Sequence, residues 1–445
     1  MTKSIFALTA LIAGSGLAHA ADLRLHTFKK VRLTDQFWSE GASVGDFNHD
    51  GKPDLVAGPF WWEGPAFTVR HEYRDASKTS KIKGTNGTEI VFGGYKGALA
   101  RANDYSDNFL TGVHDLNGDG WDDIVSVGLP GVAQSWHENP AGRKAADGTE
   151  HWTRHDAMDV LDNESPVFGD LFGNGKPVMM GNAHGFFGYF APNWAKPAEL
   201  WSWHAITPKG TWHKYTHGLG FGDVNGDGRA DFMESNGWWE QPASVAGDPV
   251  WVNHKFPFAP GGGTAGGAQF YAYDFNGDGL NDVLTTLDPH RYGLVWHEQL
   301  RGSGGTNFQQ HIILNAEPGD SPYGVKFSQM HAIALVDMDG DGVKDIVTGK
   351  RFWAHGPTGD VEPDAPAVLY WFKTERKADK SVNFVPYLID SDSGVGTQVT
   401  VADLTGDGLP DVVVANKKGI FVFLHQAKTV GKAEWQAAQP KRLKP

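Results

Sequence analysis

DFNGDGLND, residues 274–282, decides the fold, because six relatives of it stand elsewhere in the chain. They are DFNHDGKPD (46–54), DLNGDGWDD (115–123), DLFGNGKPV (170–178), DVNGDGRAD (223–231), DMDGDGVKD (337–345) and DLTGDGLPD (403–411). Successive copies begin 69, 55, 53, 51, 63 and 66 residues apart, so one supersecondary unit repeats along nearly the whole chain. The surplus length of the first and sixth repeats, residues 74–104 and 355–367, is expected to form top-face loops that shape specificity.

Oxygen donors at positions 1, 3, 5 and 9, with a Gly at 6, describe a tight turn around a hard cation. Calcium, which takes six to eight oxygens in flexible geometry, suits that donor set best. The Gly supplies the positive φ the turn needs. Six copies carry a full set: Asp46, Asn48, Asp50 and Asp54; Asp115, Asn117, Asp119 and Asp123; Asp223, Asn225, Asp227 and Asp231; Asp274, Asn276, Asp278 and Asp282; Asp337, Asp339, Asp341 and Asp345; Asp403, Thr405, Asp407 and Asp411. The third copy has Phe172 and Val178 at two donor positions and is expected to hold no ion. About six structural Ca²⁺ sites are therefore expected. An acidic β-turn without metal is the alternative for any single copy.

Apolar runs such as DIVSVG (123–128), DVLTTL (282–287) and DVVVAN (411–416) follow the loops and read as strands. A third strand carries an aromatic–acid signature (FWWEGP from Phe60, SWHENP from Ser135, GWWEQP from Gly237, VWHEQL from Val295), and a fourth ends in patterns such as NFQQHIIL from Asn307. Four short strands repeated seven times specify an all-β chain: a seven-bladed β-propeller of four-stranded blades over residues 21–445. The last blade is expected to close with an N-terminal strand, His26 to Leu33, in preference to Glu434–Leu443, because pairing the two termini removes free edges.

Residues 1–20 read as an export signal, with Lys3, the apolar stretch Ile5 to Leu17 and Ala18-His19-Ala20 before the cut. A periplasmic or extracellular protein without membrane insertion is expected. The chain has no Cys, which excludes disulfide staples. The net charge of −14 belongs mostly to the loops, whose six intact copies hold 19 Asp at donor positions. No basic stripe points to nucleic acid.

The seven segments resemble the FG-GAP/VCBS repeat family of calcium-looped propellers over roughly residues 30–425. That resemblance implies that the loop joins the innermost strand to the next one at the bottom of the disc. The residues six positions before each loop, Glu40, Phe109, Glu164, His217, Ala268, His331 and Thr397, then start the innermost strands at the top of the central channel. Gln269 and Gln398 stand one position later. Segments leaving the second strand bring His184, His290, Lys350, Arg351, Asn416 and Lys417 to the same face, flanked by Tyr105 and Tyr215. His137 and His297, in the third-strand signature, read as structural or surface residues, and Trp61, Trp62, Trp238 and Trp239 as blade-packing residues in preference to sugar platforms.

A mouth lined by imidazoles, carboxylates and cationic groups suits proton abstraction beside a carbonyl or carboxylate, followed by β-elimination or isomerisation. In that reading His217 and His331 are base and acid, Glu40 or Glu164 orients them, and Lys350 and Arg351 hold the anion or enolate. Tyr105, His184, Tyr215, Gln269, His290, Gln398, Asn416 and Lys417 contact a carbohydrate or keto-sugar. Glu40, His217 and His331 as ligands of a catalytic divalent metal form a second reading. Hydrolysis by the Glu40/Glu164 pair is a weaker variant. The arrangement is also similar to aldos-2-ulose dehydratases and propeller-type sugar lyases, which implies an oxidised sugar or uronate glycan as substrate. A non-catalytic glycan- or protein-binding propeller is the competing class.

Overall fold

A computed structural model describes residues 23–76, 79–83, 89–93, 105–143, 150–260, 266–300, 302 and 306–443. Residues 1–22, which include the expected export signal, and much of the 74–104 segment lie outside these residues. The described chain is all-β apart from one 3₁₀ turn and a helix at Lys432–Ala438. No helix among the described residues is long and apolar enough to cross a membrane.

Antiparallel four-stranded units recur along the described residues, beside a two-stranded ribbon of Thr79–Lys83 and Glu89–Gly93. In the first, Ser43–Gly45 leads into the acidic loop, Asp54–Ala57 leaves it, and Phe60–Trp62 and Arg70–Glu72 complete the meander. A single continuous strand, Thr153–Gly169, is the outer strand of the second unit and the inner strand of the third. The strand Arg24–Thr34 pairs with Gly419–Thr429, so the N-terminal segment supplies the fourth strand of the last unit. Glu434, by contrast, lies in the C-terminal helix. Contacts between inner strands run from unit to unit, and that of the last unit touches that of the first, giving a propeller-like fold.

The repeated loop builds itself by hydrogen bonding. Its first Asp accepts from the amides of positions 5 and 6, as Asp46 does from Asp50 (3.0 Å) and Gly51 (2.9 Å). The position-6 glycines have φ between +76° and +88°, the left-handed region the sequence required. The ninth Asp is a buried staple: Asp282 takes the Phe275 amide on one oxygen (3.0 Å) and the Gln299 amide on the other (2.8 Å), tying the loop to the third strand. The third copy keeps the turn, since Asp170 binds the amides of Asn174 and Gly175. In the sixth, the Lys373 ammonium donates to Asp339 and Asp341.

Cross-strand pairing explains the aromatic–acid signature. Trp61, Trp136, Trp238 and Trp296 each stack on the histidine opposite, His71, His155, His254 and His311, with ring centroids 4.0–4.6 Å apart. Each histidine Nε2 also lies 2.8 Å from the carboxylate two residues beyond its Trp: Glu63, Glu138, Glu240 and Glu298. Stacking and a hydrogen bond thus fix the register of the outer strands, where the hydrophobic pattern is weak. Trp61, Trp62, Trp238 and Trp239 are all buried.

His297 faces the preceding unit, where its Nε2–H donates to the Phe258 carbonyl (2.9 Å). Burial lowers it from its usual 6.5 to about 4. The unfolded chain therefore takes up a proton near pH 6.5 that the folded chain refuses until about 4, and stability falls as pH drops through that window. His297→Gln is expected to flatten this acid limb by about 1.4 kcal/mol per pH unit. Denaturant titrations at pH 7 and pH 5 measure the slope, and an unchanged slope would refute it.

Candidate functional site

The seven strand-start positions are all buried, and backbone bonds link several of them across units. Glu40 N–H donates to the Asn108 carbonyl (2.9 Å), Thr397 N–H to the Glu40 carbonyl (2.8 Å) and Glu164 N–H to the Thr216 carbonyl (2.9 Å). Equal spacing from the loops thus becomes adjacency around one opening.

Arg351 is the cationic centre of this opening and is 1% exposed. Its Nε–H donates to Glu40 Oε2 (2.7 Å), and its Nη1 lies 3.8 Å from Glu164 Oε2. Burial opposes the guanidinium charge, but the Glu40 and Glu164 carboxylates outweigh it and push the pKa up. Neither Nη1 nor Nη2 has a hydrogen-bond partner among the described residues. Burial alone would raise Glu164; the His217 ring beside it and Arg351 reverse this and hold it at about 2.

Three imidazoles meet next to this pair. Ring centroids lie 4.6 Å (His217–His290), 5.0 Å (His290–His331) and 5.5 Å (His217–His331) apart, and one ring nitrogen from each falls within 4.8 Å of the other two. His217 Nε2 is 3.3 Å from Glu164 Oε2, and His331 Nδ1 is 3.3 Å from the Gln329 carbonyl. Burial, reinforced by Arg351, puts His331 well below its usual value. Burial also lowers His290, against the pull of Asp360.

Above them opens a cavity of about 590 Å³ whose wall includes Tyr105, Phe109, Glu164, Tyr215, His290, His355 and Asp360. Asp360 arrives on the 355–367 insertion. It accepts from His355 Nδ1 (2.8 Å) and the His355 amide (2.8 Å), and faces His290 Nδ1 at 3.6 Å. Because a carboxylate only accepts, the neutral tautomer of His355 that fits has its hydrogen on Nδ1 and its lone pair on Nε2. Burial would raise Asp360, but the His290 and His355 rings beside it hold it well below the carboxylate range. Burial pushes the Tyr105 phenol up, against the pull of Arg351, so it stays protonated at neutral pH.

Gln329 ties these parts together from a left-handed backbone (φ 64°) that a glutamine rarely adopts. Its carbonyl accepts from the Arg351 amide (2.9 Å), its own amide donates to the Arg291 carbonyl (2.8 Å), and its side chain donates to the Val361 carbonyl (3.0 Å).

The structure therefore brings Glu40, Glu164, His217, His331 and Arg351 together with His290, Tyr105 and Tyr215. His217 and His331 sit behind the cavity wall, at 0% and 1% exposure. The Lys350 ammonium turns away to Ser328 Oγ (2.9 Å), whose hydroxyl donates to the Val361 carbonyl, so it supports the insertion; burial lowers its pKa to about 8. Lys417 donates to the Trp353 carbonyl (2.6 Å) beside the Tyr105 ring. Three expected ligand contacts are structural ties instead. Gln269 binds the Ile333 amide and the Thr397 carbonyl, Gln398 binds both backbone groups of Thr111, and Asn416 binds the Ser393 carbonyl. The two glutamines also line a separate cavity of about 260 Å³ between the inner strands. His184 is not among the residues lining the cavity and is exposed, beside Asp159 and Trp203. His355, Asp360 and Gln329 were not legible as site residues; unusual repeat length was the only signal that pointed to the insertion.

A family model for FG-GAP-like repeats matches residues 274–348, and one for the FG-GAP repeat matches 37–59 and 395–421. No curated protein matches the chain by sequence. Among solved structures, an Agrocybe aegerita lectin that recognises non-reducing terminal N-acetylglucosamine is similar, with TM-score 0.42 and 18% identity over 82% of this chain and 81% of the lectin chain. Rhamnogalacturonan lyase YesW has TM-score 0.37 and 14% identity over 90% of this chain and 72% of its own.

Proposed function

From a chain that carries FG-GAP repeats, we propose an exported, calcium-stabilised, seven-bladed β-propeller that eliminates water or an alkoxide from an oxidised sugar or uronate glycan. The observation that carries the reading is Arg351: a buried guanidinium, anchored by Glu40, whose two amino groups lack hydrogen-bond partners among the described residues behind a cavity of about 590 Å³. Such a fork suits a carboxylate, and the enolate that forms when a proton leaves the neighbouring carbon.

The cavity wall offers the proton-transfer groups. His355, oriented by Asp360, presents the Nε2 lone pair that takes the α-proton. Tyr105, protonated and with its ring centroid 6.4 Å from that of His355, donates to the departing oxygen. These roles move from His217 and His331 because His355 and Tyr105 line the cavity and those two histidines do not; Arg351, 1% exposed and likewise behind the wall, acts as a fixed positive charge. Calcium would be held by the oxygen donors of the six intact loops, of which Asp337, Asp339 and Asp345 place carboxylate oxygens within 4.8 Å of one another. Its contribution is structural: a bound ion ties each inner strand to the next strand.

Turnover of oxidised sugars and uronate glycans, followed by the absorbance of unsaturated products, tests the reading. His355→Ala and Tyr105→Phe are each expected to lower kcat by about 10²–10⁴-fold with Tm unchanged. Full activity in both variants would overturn the assignment. Glycan binding at the mouth without turnover would favour a binding module.

A further inference from the structure

We infer that Ser328 and Gln329, backed by Lys350, are positioning residues: they form a buried clamp on the Val361 carbonyl that sets the His355–Asp360 pair at the mouth. The insertion that carries this pair has no core of its own, since no apolar side chain among residues 355–366 is buried. Its seat comes from the body of the fold. The Val361 carbonyl, one residue beyond Asp360, accepts from Ser328 Oγ (2.9 Å) and from Gln329 Nε2 (3.0 Å). Two donors occupy both lone pairs of that oxygen, which fixes its direction as well as its place. Ser328, Gln329 and Lys350 are each 0% exposed, so water does not compete for these bonds.

The direction of each bond follows from the groups that make it. The Lys350 ammonium only donates, and it reaches Ser328 Oγ at 2.9 Å. The serine oxygen therefore accepts there, and its own hydrogen is left for Val361. Gln329 keeps a left-handed backbone (φ 64°), a strain that persists where the surroundings over-determine it. That conformation lets one residue serve three partners: its amide meets Arg291, its carbonyl Arg351 and its side chain Val361. A slip of the Val361 carbonyl passes through one peptide unit to Asp360, whose carboxylate accepts from His355 Nδ1 (2.8 Å) and from the His355 amide (2.8 Å). Once the Nδ1 bond is lost, nothing holds the ring hydrogen away from Nε2, the atom that faces the reaction with a lone pair. The catalytic consequence rests on the proposed function: a base displaced by about 1 Å costs on the order of 10²-fold in rate.

The test reads the tautomer of His355, which needs no substrate and so fails separately from the turnover assay. Ring-nitrogen NMR shifts of the full chain, labelled at histidine, report it, and His355→Gln identifies the signal by removing it. The neutral ring of the wild type is expected to be mainly the Nδ1–H form. Ser328→Ala and Gln329→Gly should each move it towards a mixture with the Nε2–H form. On a substrate that turns over, both should lower kcat about 10–100-fold with KM little changed. Gln329→Gly covers the case in which Ser328→Ala fails to fold, because glycine takes a φ of 64° without strain. Lys326→Ala removes the Lys326–Glu362 ion pair (3.0 Å) from the same insertion and leaves the clamp intact, so it should change neither readout. A wild-type tautomer in both clamp variants, or an equal shift in Lys326→Ala, would overturn the inference. Tautomer shifts as expected without turnover by the wild type would sink the elimination reading and leave the clamp standing.

Discussion

Glu40→Ala is expected to lower the free energy of unfolding by about 3–5 kcal/mol, because it strands a buried guanidinium. Glu40 and Arg351 are each 1% exposed and joined at 2.7 Å. The second carboxylate, Glu164, stands at 3.8 Å and is already engaged with His217, so it replaces the lost partner only in part. The double variant Glu40→Leu/Arg351→Met removes both charges and is expected to recover most of that loss, since two apolar side chains leave no unpaired ion. Guanidinium chloride unfolding of the wild type and the two variants measures the effect. A single variant no less stable than wild type would show that water or another group satisfies Arg351, and would remove the premise that its amino groups await a ligand. The double variant should have no detectable turnover even if it is stable, which separates the folding role of the pair from its role at the mouth.

Calcium removal is the second large effect. Each filled site contributes roughly 2.7 kcal/mol at a free concentration 100-fold above its Kd, so loss of several sites should lower Tm by on the order of 10 °C or more. Differential scanning calorimetry with and without a calcium chelator reads this directly. The third loop provides an internal control. Asp170 makes the same turn as its counterparts, yet Phe172 and Val178 deprive it of two donors. Asp170→Asn should therefore leave calcium stoichiometry unchanged, whereas Asp46→Asn should lower it by about one. The sixth loop is expected to be the weakest of the six, because the Lys373 ammonium already contacts Asp339 and Asp341. A transition indifferent to chelation would mean that hydrogen-bonded turns alone hold the loops.

The acidic loop was legible because its requirements are local. Asp at position 1 binds amides four and five residues on, and Gly at position 6 adopts a positive φ; both are settled within one short segment. The strand repeat follows from the same property, since each unit is a meander of neighbours in sequence. The Trp–His–Glu register device was visible only as a recurring pattern, because its two halves lie on different strands. The strand-start residues Glu40, Glu164, His217 and His331 could be found by counting back from each loop, because a constant offset along equivalent strands places side chains at one level around the opening.

Sequence by itself thus determined the repeat, the all-β fold, the closing N-terminal strand and the height at which the titratable groups gather. Only the tertiary structure decided which of them meet. Arg351 chooses Glu40 while the adjacent Lys350 turns to Ser328, because successive residues point to opposite sides of an extended segment. Gln269, Gln398 and Asn416 are consumed by backbone groups of other segments, a demand no local pattern announces. His355 and Asp360 reach the mouth on an insertion outside the repeat, where no offset applies. Periodicity fixes what recurs in every unit; a functional centre is built from what differs between units, and those differences acquire meaning only when the chain brings them within bonding distance.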